Sequence, residues 1–429
     1  MNNLETDTQL IFSSEELFAK EADSVDPLGS YRDRFHIPQK NSEDVVYFAG
    51  NSLGLEPKST RDYIEQELKD WEDMAVEGHF HAKYPWKFYH EFLTEKTARL
   101  VGADNSEVVN MNSLTVNLNL MMVSFYRPSK DRYKILMEAN AFPSDIYAVE
   151  SQIKFHGYDP KDALIVPKLR EGESTHRTED ILDLIEHEGD SIALVMIAGV
   201  NYYTGQAFDM KSITEAGHRK GCNAGFDLAH AAGNLKLDLH DWDVDFAVWC
   251  NYKYLNSGPG AVAGCFVNAR FRNDFDIPRF SGWWGHKKET RFLMPDEFDP
   301  SEGVEGWQIS NPPIFQMAAL NASLDIFDEA GMDALRKKSV LLTGYCEYLV
   351  KNMNSSIEII TPANPDERGC QLSLRVGKEN KPIHTALLEN NVICDWREPD
   401  VIRIAPVPLY NTFSDVWKFV EILKKHLAA

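Results

Sequence analysis

The segment NAGFDLAHAAGNLKLDLHDWDVDFAVWCNYKYLNSGPG, residues 223–260, contains two short apolar runs that are each followed by a chargeable side chain. NAGF leads to Asp227, and DFAVWC leads to Lys253. Charged side chains are seldom buried without a partner, so an acid and an amine that close buried-looking strands need an explanation. The segment therefore predicts strands with functional side chains at their ends.

The same pattern continues on both sides of this segment. Further apolar runs lie at 134–139, 162–167, 192–199 and 261–268, with helical patterns between most of them, such as 178–188 and 209–220. Short runs that are apolar on both faces and alternate with helices predict a mostly parallel sheet that is covered on both sides. In such sheets, ligands bind at the carboxyl ends of the strands.

The chain has 429 residues, which exceeds the length that one hydrophobic core usually serves, so we expect two domains. Residues 61–313 would form the large α/β domain. Residues 314–429 read as a long helical stretch (about 315–353), short strands and a final helix, which predicts a smaller α+β domain. Residues 1–60 would pack with this domain or on a partner subunit.

Charge and composition exclude several classes of partner. The formal net charge of −22 argues against binding to nucleic acid or to an anionic membrane. No apolar run approaches the length of a membrane span, and the start, MNNLETDTQLIF, lacks the features of a secretion signal, so we expect a cytoplasmic protein. The six cysteines show no CxxC spacing and are expected to be reduced and mostly buried.

Two of the predicted strand ends could contact an anion and a flat ring. NSLT (112–115) resembles a helix start with hydroxyl groups, which would suit a phosphate or serve as an ordinary helix cap. In NAFPSD (140–145), Phe142 precedes a proline, which favours extended backbone, and its ring either faces a flat ligand or belongs to the core. Each segment leaves both interpretations open when it is considered separately.

The acid and the amine also have two interpretations each. Asp227 either caps the next helix or pairs with a ligand cation, and Lys253 either reaches solvent past Tyr252 and Tyr254 or acts as a buried nucleophile. The ordered combination of phosphate site, aromatic ring, buried acid and strand-end lysine is what a pyridoxal phosphate pocket requires. Lysine forms a Schiff base with the aldehyde of that cofactor, and the acid pairs with the pyridinium nitrogen.

Several long segments, from FAGNSLGL (48–55) to RIAPVPLYN (403–411), resemble the kynureninase family. They include FPSD, YYTGQ, GFDLAHAAGN, WCNYKYLNSGPG, QISNPP and RGCQLS, all in the family's order and closer to its eukaryotic-type members. The resemblance implies the pyridoxal phosphate-dependent aspartate-aminotransferase fold, with a seven-stranded-type sheet, and a homodimer with shared active sites. It also implies hydrolytic Cβ–Cγ cleavage of L-kynurenine or its 3-hydroxy derivative, in tryptophan catabolism and NAD precursor synthesis.

The resemblance implies roles for individual residues. Lys253, Tyr252 and Asp227 would be catalytic, with Lys253 as the Schiff-base amine and His230 close by. The remaining cofactor contacts would come from Leu114, Thr115, Phe142, Pro143, Ser144, Asp145, Trp283 and Asn311. The substrate contacts would come from Ser52, His79, Asn311 and Arg403, where the arginine binds the α-carboxylate. The histidine and the asparagine favour the 3-hydroxy substrate, whereas Trp284 stands where eukaryotic relatives usually carry phenylalanine.

Other functions remain as alternatives. A cysteine desulfurase or an aminotransferase would share the cofactor, but Cys370 and Cys394 lie in strand-like runs rather than in a loop. GPGAVAG (258–264) precedes a strand and lacks the spacing of a dinucleotide-binding loop, which argues against a nicotinamide dehydrogenase. A zinc hydrolase is disfavoured because the sequence has no HExxH motif or Cys/His cluster. A scaffold protein without a cofactor is the last alternative. The purified protein would then lack the yellow colour that a bound pyridoxal phosphate is expected to give.

Overall fold

The computed structural model describes residues 11–353 and 356–427, and a seven-stranded sheet forms its centre. The expectation of no secretion signal rests mainly on residues 1–10, which lie outside the described residues. In chain order the strands are Val108–Asn110 (β1), Lys134–Leu136 (β2), Leu164–Ile165 (β3), Ile192–Ala198 (β4), Asn223–Asp227 (β5), Phe246–Cys250 (β6) and Ala263–Val267 (β7).

The spatial order of this sheet is β1-β7-β6-β5-β4-β2-β3. All neighbours from β6 to β3 are parallel, and β7 is antiparallel to both β6 and β1. The mostly parallel sheet predicted from the apolar runs is confirmed. Because β4, β5 and β6 are parallel neighbours, Ala198, Asp227 and Cys250 end three adjacent strands at the same edge.

Strand β4 shows why these runs are apolar without alternation. Its residues Val195 and Ile197 belong to the hydrophobic core on one face of the sheet, while Leu194 and Met196 belong to the core on the other. Helices supply the rest of both cores, so neither face of the strand meets water. The helices of this part of the chain are Thr60–Met74 (α2), Gly78–His81 (α3), Glu91–Val101 (α4), Leu114–Phe125 (α5), Pro143–Phe155 (α6), Pro160–Ala163 (α7), Thr178–Glu188 (α8) and Met210–Arg219 (α9), after Glu16–Ser24 (α1) near the start.

A second, four-stranded antiparallel sheet lies in the C-terminal part of the chain. Its strands are Glu358–Ile359 (β8), Leu372–Arg375 (β9), Asp395–Arg397 (β10) and Val401–Ile404 (β11), in the order β8-β9-β11-β10. The N-terminal segment joins this unit, because Val46–Tyr47 pairs with Val392–Ile393 and α1 contributes to the same core. The helices here are Ile314–Ala330 (α10), Met332–Lys351 (α11), Lys381–Glu389 (α12) and Phe413–Leu427 (α13).

The helical stretch expected at about 315–353 is two helices, and Gly331 separates them. Its φ of +74° is a left-handed value that glycine adopts at little cost, so the chain turns there. Helix α10 packs on α2 and α4 of the large unit, whereas Leu342 and Tyr345 of α11 lie in the core of the small one. A division of the chain at residue 314 stays a prediction. In the part of the chain that the structure describes, no helix is long and apolar enough to cross a membrane.

Candidate active site

Nine of the predicted site residues meet in one cavity at the carboxyl ends of β4, β5 and β6. The cavity has a volume of about 500 Å³, measured with its open mouth. The nine residues are Leu114, Thr115, Phe142, Ser144, Asp145, Asp227, His230, Tyr252 and Lys253. They come from segments far apart in the sequence, and the parallel strand order brings them to one edge of the sheet.

Lys253 lies in the loop after β6 and points its amine into this cavity. Its Nζ is 3.0 Å from Nε2 of His230 and 5.8 Å from the centre of the Phe142 ring. Gly54 contacts this loop, and its backbone N–H donates to the Tyr252 carbonyl at 2.8 Å. A Cβ on Gly54 would overlap the carbonyl oxygen of Lys253, so this close approach requires glycine. The position of the amine therefore depends on the N-terminal segment as well as on β6.

Three carboxyl groups line the wall of the same cavity, namely Glu138, Asp145 and Asp227. Burial raises the pKa of Asp145 well above its ordinary value, and the neighbouring charge of Asp227 raises it further. Burial also raises the pKa of Asp227, against the opposing effects of a hydrogen bond with Asp145 and of the Lys253 charge. The Asp227 carboxylate accepts a hydrogen bond of 2.6 Å from the N–H of Ala229. We infer that Asp145 carries the proton of this pair and that Asp227 is its anionic member.

Glu138, the third acid, ends the KILME run and accepts a hydrogen bond of 3.2 Å from the N–H of Ala198. Burial raises its pKa to about 7. Burial and mutual repulsion disfavour ionisation of all three acids together, and a cation bound beside them in the cavity would stabilise their charges. A protonated heterocyclic nitrogen is such a cation.

His230 is neutral in this site. Its pKa is lowered well below the ordinary value, first by burial and then by the charges of Lys253, Arg403 and Arg397. A neutral ring can accept a hydrogen bond from the lysine amine at Nε2, which leaves Nδ1 as the protonated nitrogen. That Nδ1 is buried and has no hydrogen-bond partner within the described residues, so it is free to bond to a ligand.

The start of α5 supports an anion site more than an ordinary cap. Ser113 has extended backbone at the N-cap position, but its side chain makes no capping hydrogen bond. The hydroxyl of Thr115 instead lies 2.9 Å from that of Ser144 at the cavity wall. A helix start with uncapped N–H groups beside two hydroxyls is suited to a phosphate.

Phe142 faces the cavity. It is extended, with ψ of 135°, because Pro143 follows it and begins α6. Its ring is 44% exposed and meets the Tyr202 ring edge-on at 5.2 Å. The alternative of a core aromatic is therefore wrong, and one face of the ring remains available to a flat ligand.

Arg403 lies behind the cavity wall on β11 and is 1% exposed. Its Nε donates to the Asp395 carboxylate at 2.7 Å, and Nη2 donates to the other oxygen of the same carboxylate. Its Nη1 donates at 2.5 Å to the carbonyl of Tyr202, which lines the cavity. Arg403 thus contacts a residue of the cavity wall, Tyr202, but does not line the cavity itself.

The other predicted contacts do not line the Lys253 cavity of their own chain. Ser52 is exposed, and the half-buried His79 packs its ring on Trp86 at 5.3 Å. Trp283 is 46% exposed, and Asn311 lines a separate cavity near Asn110 and Asn112. Pro143 occupies the first turn of α6. The roles of these residues stay predictions.

The environment of Trp284 differs from that of Trp283. Trp284 is buried, with the Trp283 ring edge-on at 5.6 Å and the Arg291 guanidinium 4.5 Å from its ring centre. It therefore packs within its own loop, and the cavity that contains Lys253 does not include it.

Sequence reasoning missed five residues that line the cavity, namely Glu138, Ala198, Val200, Tyr202 and Ala229. Glu138 had a usable signal, since an acid that ends an apolar strand resembles Asp227 in its setting. Tyr202 stands in the quoted YYTGQ motif, but only the fold shows that its ring meets Phe142.

The side chains present fit pyridoxal phosphate. The uncapped start of α5 suits its phosphate, the exposed face of Phe142 suits its ring, and Asp227 suits its ring nitrogen. Lys253 supplies the amine for its aldehyde, and the orphaned Nδ1 of His230 gives a further hydrogen-bonding group. The cavity thus offers one group for each part of this cofactor.

Comparisons with known proteins find relatives that match nearly the whole chain. A kynureninase of Koribacter versatilis is 60% identical over 96% of this chain and 97% of its own, and one of Myxococcus xanthus is 57% identical over 98% and 99%. A kynureninase of Nematostella vectensis is 49% identical over 95% and 92%. The family described as "Kynureninase C-terminal domain" matches residues 335–423.

Solved structures of other enzymes share the fold at low sequence identity. A cysteine desulfurase of Thermococcus onnurineus NA1 superimposes with a TM-score of 0.73 at 16% identity, over 95% of this chain and 98% of its own. The cystine C-S lyase C-DES gives 0.75 at 16% identity, over 89% and 97%. These likenesses show the aspartate-aminotransferase fold of pyridoxal phosphate enzymes, whereas the high identities over nearly entire chains show that this chain belongs to the kynureninase family.

Proposed function

We propose that this protein is a pyridoxal phosphate-dependent kynureninase that hydrolyses the Cβ–Cγ bond of L-kynurenine or 3-hydroxy-L-kynurenine. The products are anthranilate or 3-hydroxyanthranilate and L-alanine, which places the enzyme in tryptophan catabolism and NAD precursor synthesis. One observation carries the proposal: Lys253 and Asp227 face a single cavity from adjacent parallel strand ends in a chain that is 60% identical to a kynureninase.

The cofactor, when bound, supplies an electron sink that stabilises carbanions next to the substrate nitrogen. Asp227 would hold its ring nitrogen, Lys253 its aldehyde, and Phe142 one face of its ring. Leu114 and Thr115 at the helix start would hold the phosphate, with Ser144 and Tyr252 beside them. Asp145 would act on the ring nitrogen through its shared proton with Asp227.

Lys253 would also carry a proton to and from the substrate. The neutral ring of His230 accepts a hydrogen bond from its amine, so the lysine can hold a proton without leaving the cavity. Tyr252 stays protonated, because burial raises the pKa of its phenol, and so it can donate a hydrogen bond to a reacting oxygen. Water adds to the γ-ketone of the substrate and is consumed in the cleavage. Tyr252 is a candidate for the relay of its protons, because it lines the cavity and stays protonated.

A cysteine desulfurase would need a reactive thiol near the amine. Burial raises the pKa of Cys370 to about 12, and it leaves that thiol 1% exposed. Cys394 is buried as well, so neither thiol is set up as a nucleophile. These two thiols therefore argue against sulfur transfer.

The decisive experiment is product analysis with purified protein that has been loaded with the cofactor. Kynurenine should yield anthranilate and alanine in equal amounts, whereas cysteine should release no sulfide and 2-oxo acids should produce no amino acid. Sulfide release or transamination without anthranilate would replace the proposal with one of the rival activities.

We further propose a cytoplasmic homodimer whose partner subunit completes each site. Ser52, His79, Trp283 and Asn311 lie outside the Lys253 cavity of their own chain, so their contacts with substrate or cofactor would be made across a subunit interface. Light scattering of the loaded protein should give twice the mass of the chain, and a monomer with full activity would contradict shared sites.

We expect a higher specificity constant for 3-hydroxykynurenine than for kynurenine, and Asn311→Thr should reduce that preference. The amide offers both donors and an acceptor to the extra ring hydroxyl, and a neutral hydrogen bond is worth about 1 kcal/mol, or roughly fivefold in rate. Steady-state assays with both substrates measure the ratio. Asn105→Thr, at an exposed asparagine outside both cavities, is the matched control. Equal constants in the wild type would contradict the prediction, as would a ratio that Asn311→Thr leaves unchanged.

A further inference from the structure

Asp395, Arg397 and Arg403 form a charged cluster on one face of the small sheet. In the antiparallel pair β10–β11, Asp395 lies directly opposite Arg403. Arg397 is two residues beyond Asp395 in the same strand, so its side chain emerges on the same face. The three side chains are neighbours because of strand register, and they stay neighbours as long as the sheet is formed.

The hydrogen bonds of Arg403 leave one part of its guanidinium free. Nε and Nη2 donate hydrogen bonds to the two carboxylate oxygens of Asp395, and Nη1 donates to the Tyr202 carbonyl. A guanidinium has five N–H groups, so one N–H on Nη1 and one on Nη2 are left over. Two parallel N–H groups on the terminal nitrogens are the arrangement that binds a carboxylate through both oxygens.

The charges of the cluster point to the same ligand. Two arginines and one aspartate leave a single positive charge, which one carboxylate would neutralise. Nη2 of Arg397 is 3.3 Å from Asp395, and its Nε is buried without a hydrogen-bond partner in the described ranges. Arg397 therefore has donors left for a second contact with the same anion.

The cluster borders the Lys253 cavity through Tyr202. The ring of Tyr202 lies 5.9 Å from the Arg403 guanidinium carbon and meets the Phe142 ring edge-on at 5.2 Å. A substrate whose amine is at Lys253 would thus have its carboxylate on the side of the cavity where Tyr202 and Arg403 lie.

Asp395 could act in either of two ways. It could occupy the place of the substrate carboxylate and be displaced by it, or it could hold the guanidinium in the binding orientation. The geometry favours the second role, since Asp395 accepts hydrogen bonds from Nε and Nη2 of Arg403 and still leaves one N–H on each terminal nitrogen for a ligand.

We propose that Asp395 is a positioning residue for recognition of the substrate α-carboxylate, and that Arg397 is a second cation for that group. Asp395 fixes the orientation of Arg403 and cancels one of the two positive charges, so that the site accepts one carboxylate. This inference rests on the proposed function, in which Arg403 binds the carboxylate of kynurenine.

The test uses the loaded enzyme and the variants Asp395→Asn, Asp395→Glu and Arg397→Gln. In Asp395→Asn the amide NH2 group replaces one carboxylate oxygen, so a donor stands where Arg403 needs an acceptor and the guanidinium loses its orientation. The KM for kynurenine should then rise about tenfold or more, which is the effect of losing a hydrogen bond to a charged group. The value of kcat should change much less. Asp395→Glu should restore part of the loss, and Arg397→Gln should raise KM by a smaller factor. Glu398→Gln, an exposed acid beside the same hairpin, removes an equal charge and should leave KM unchanged.

A second measurement separates carboxylate recognition from general damage. The decarboxylated analogue of kynurenine keeps the amine and the aryl ketone, and its binding can be followed by the change in cofactor absorption. Its affinity should be the same in wild type and Asp395→Asn. If Asp395→Asn lost affinity equally for kynurenine and for the analogue, the role of Asp395 would be merely structural. An unchanged or lower KM in Asp395→Asn would show that the substrate carboxylate displaces Asp395 or that Asp395 is not involved. If Asp395→Asn does not fold, the same comparison on Asp395→Glu and Arg397→Gln decides the matter. A wild type that does not cleave kynurenine would refute the proposed function instead.

Discussion

Lys253→Ala should abolish cleavage of kynurenine, with a loss of about a thousandfold or more in kcat, because one side chain supplies both the covalent attachment and the proton transfer. Among the described residues that line the cavity, Lys253 is the one that carries an amine. The variant should also lose the absorption of the lysine–cofactor Schiff base, although the phosphate and ring contacts at Thr115 and Phe142 remain. Activity assays and absorption spectra of the reconstituted protein measure both effects.

The matched control for this substitution is Lys211→Ala on α9, where the lysine is exposed and does not line the cavity. It should keep the wild-type spectrum and rate. Small primary amines should restore part of the activity of Lys253→Ala, since they can replace the missing amine in the space it leaves. Near-normal turnover of Lys253→Ala without added amine would refute the role of the lysine.

The sheet and four of the cavity residues, Thr115, Phe142, Asp227 and Lys253, could be predicted from local patterns, whereas the other five came from the family resemblance. Strands β4, β5 and β6 read as apolar on both faces, and Asp227 ends the run of β5 and Lys253 follows that of β6 at the edge where ligands bind. The identity of the pocket came from the order of four such residues and from the family resemblance. Considered separately, each segment also allowed a purely structural role, such as a helix cap or a core aromatic.

Other features depend on contacts that no local pattern encodes. The antiparallel direction of β7 between β6 and β1 is a property of the assembled sheet. β8 and β10 have two and three residues, too few to show a period, and so the pairing of Asp395 with Arg403 could not be foreseen. The support that Gly54 gives to the Lys253 loop likewise joins segments about two hundred residues apart.

The wall of acids explains why Asp227 rather than Asp145 should face the cofactor as an anion. The pKa of Asp145 is raised well above its ordinary value, and the charge of Asp227 is one cause of that rise. Opposing effects act on Asp227, because the hydrogen bond with Asp145, the Lys253 charge and the Ala229 N–H all favour its ionised form. A cationic ring nitrogen would favour that form further.

Asp227→Asn should therefore reduce exchange of the substrate α-proton at least a hundredfold. An amide cannot keep the ring nitrogen protonated, and loss of one partner of a buried charge pair costs about 3 kcal/mol, which exceeds two factors of ten in rate at roughly 1.4 kcal/mol each. Removal of the Asp227 charge also removes one cause of the raised pKa of Asp145, so Asp145 should ionise more readily and replace part of the lost charge. The double variant with Asp145→Asn should consequently lose more than Asp227→Asn does.

Exchange of the α-proton in deuterated water, followed by NMR and normalised to bound cofactor, measures this effect separately from carbon–carbon cleavage. Asp238→Asn, at an exposed aspartate on the same chain segment, is the matched control and should exchange at the wild-type rate. If fully loaded Asp227→Asn also exchanged at that rate, the ring nitrogen would not depend on Asp227. If the double variant lost no more than the single one, Asp145 would not share the proton of the pair, and the acid wall would serve the fold rather than the cofactor.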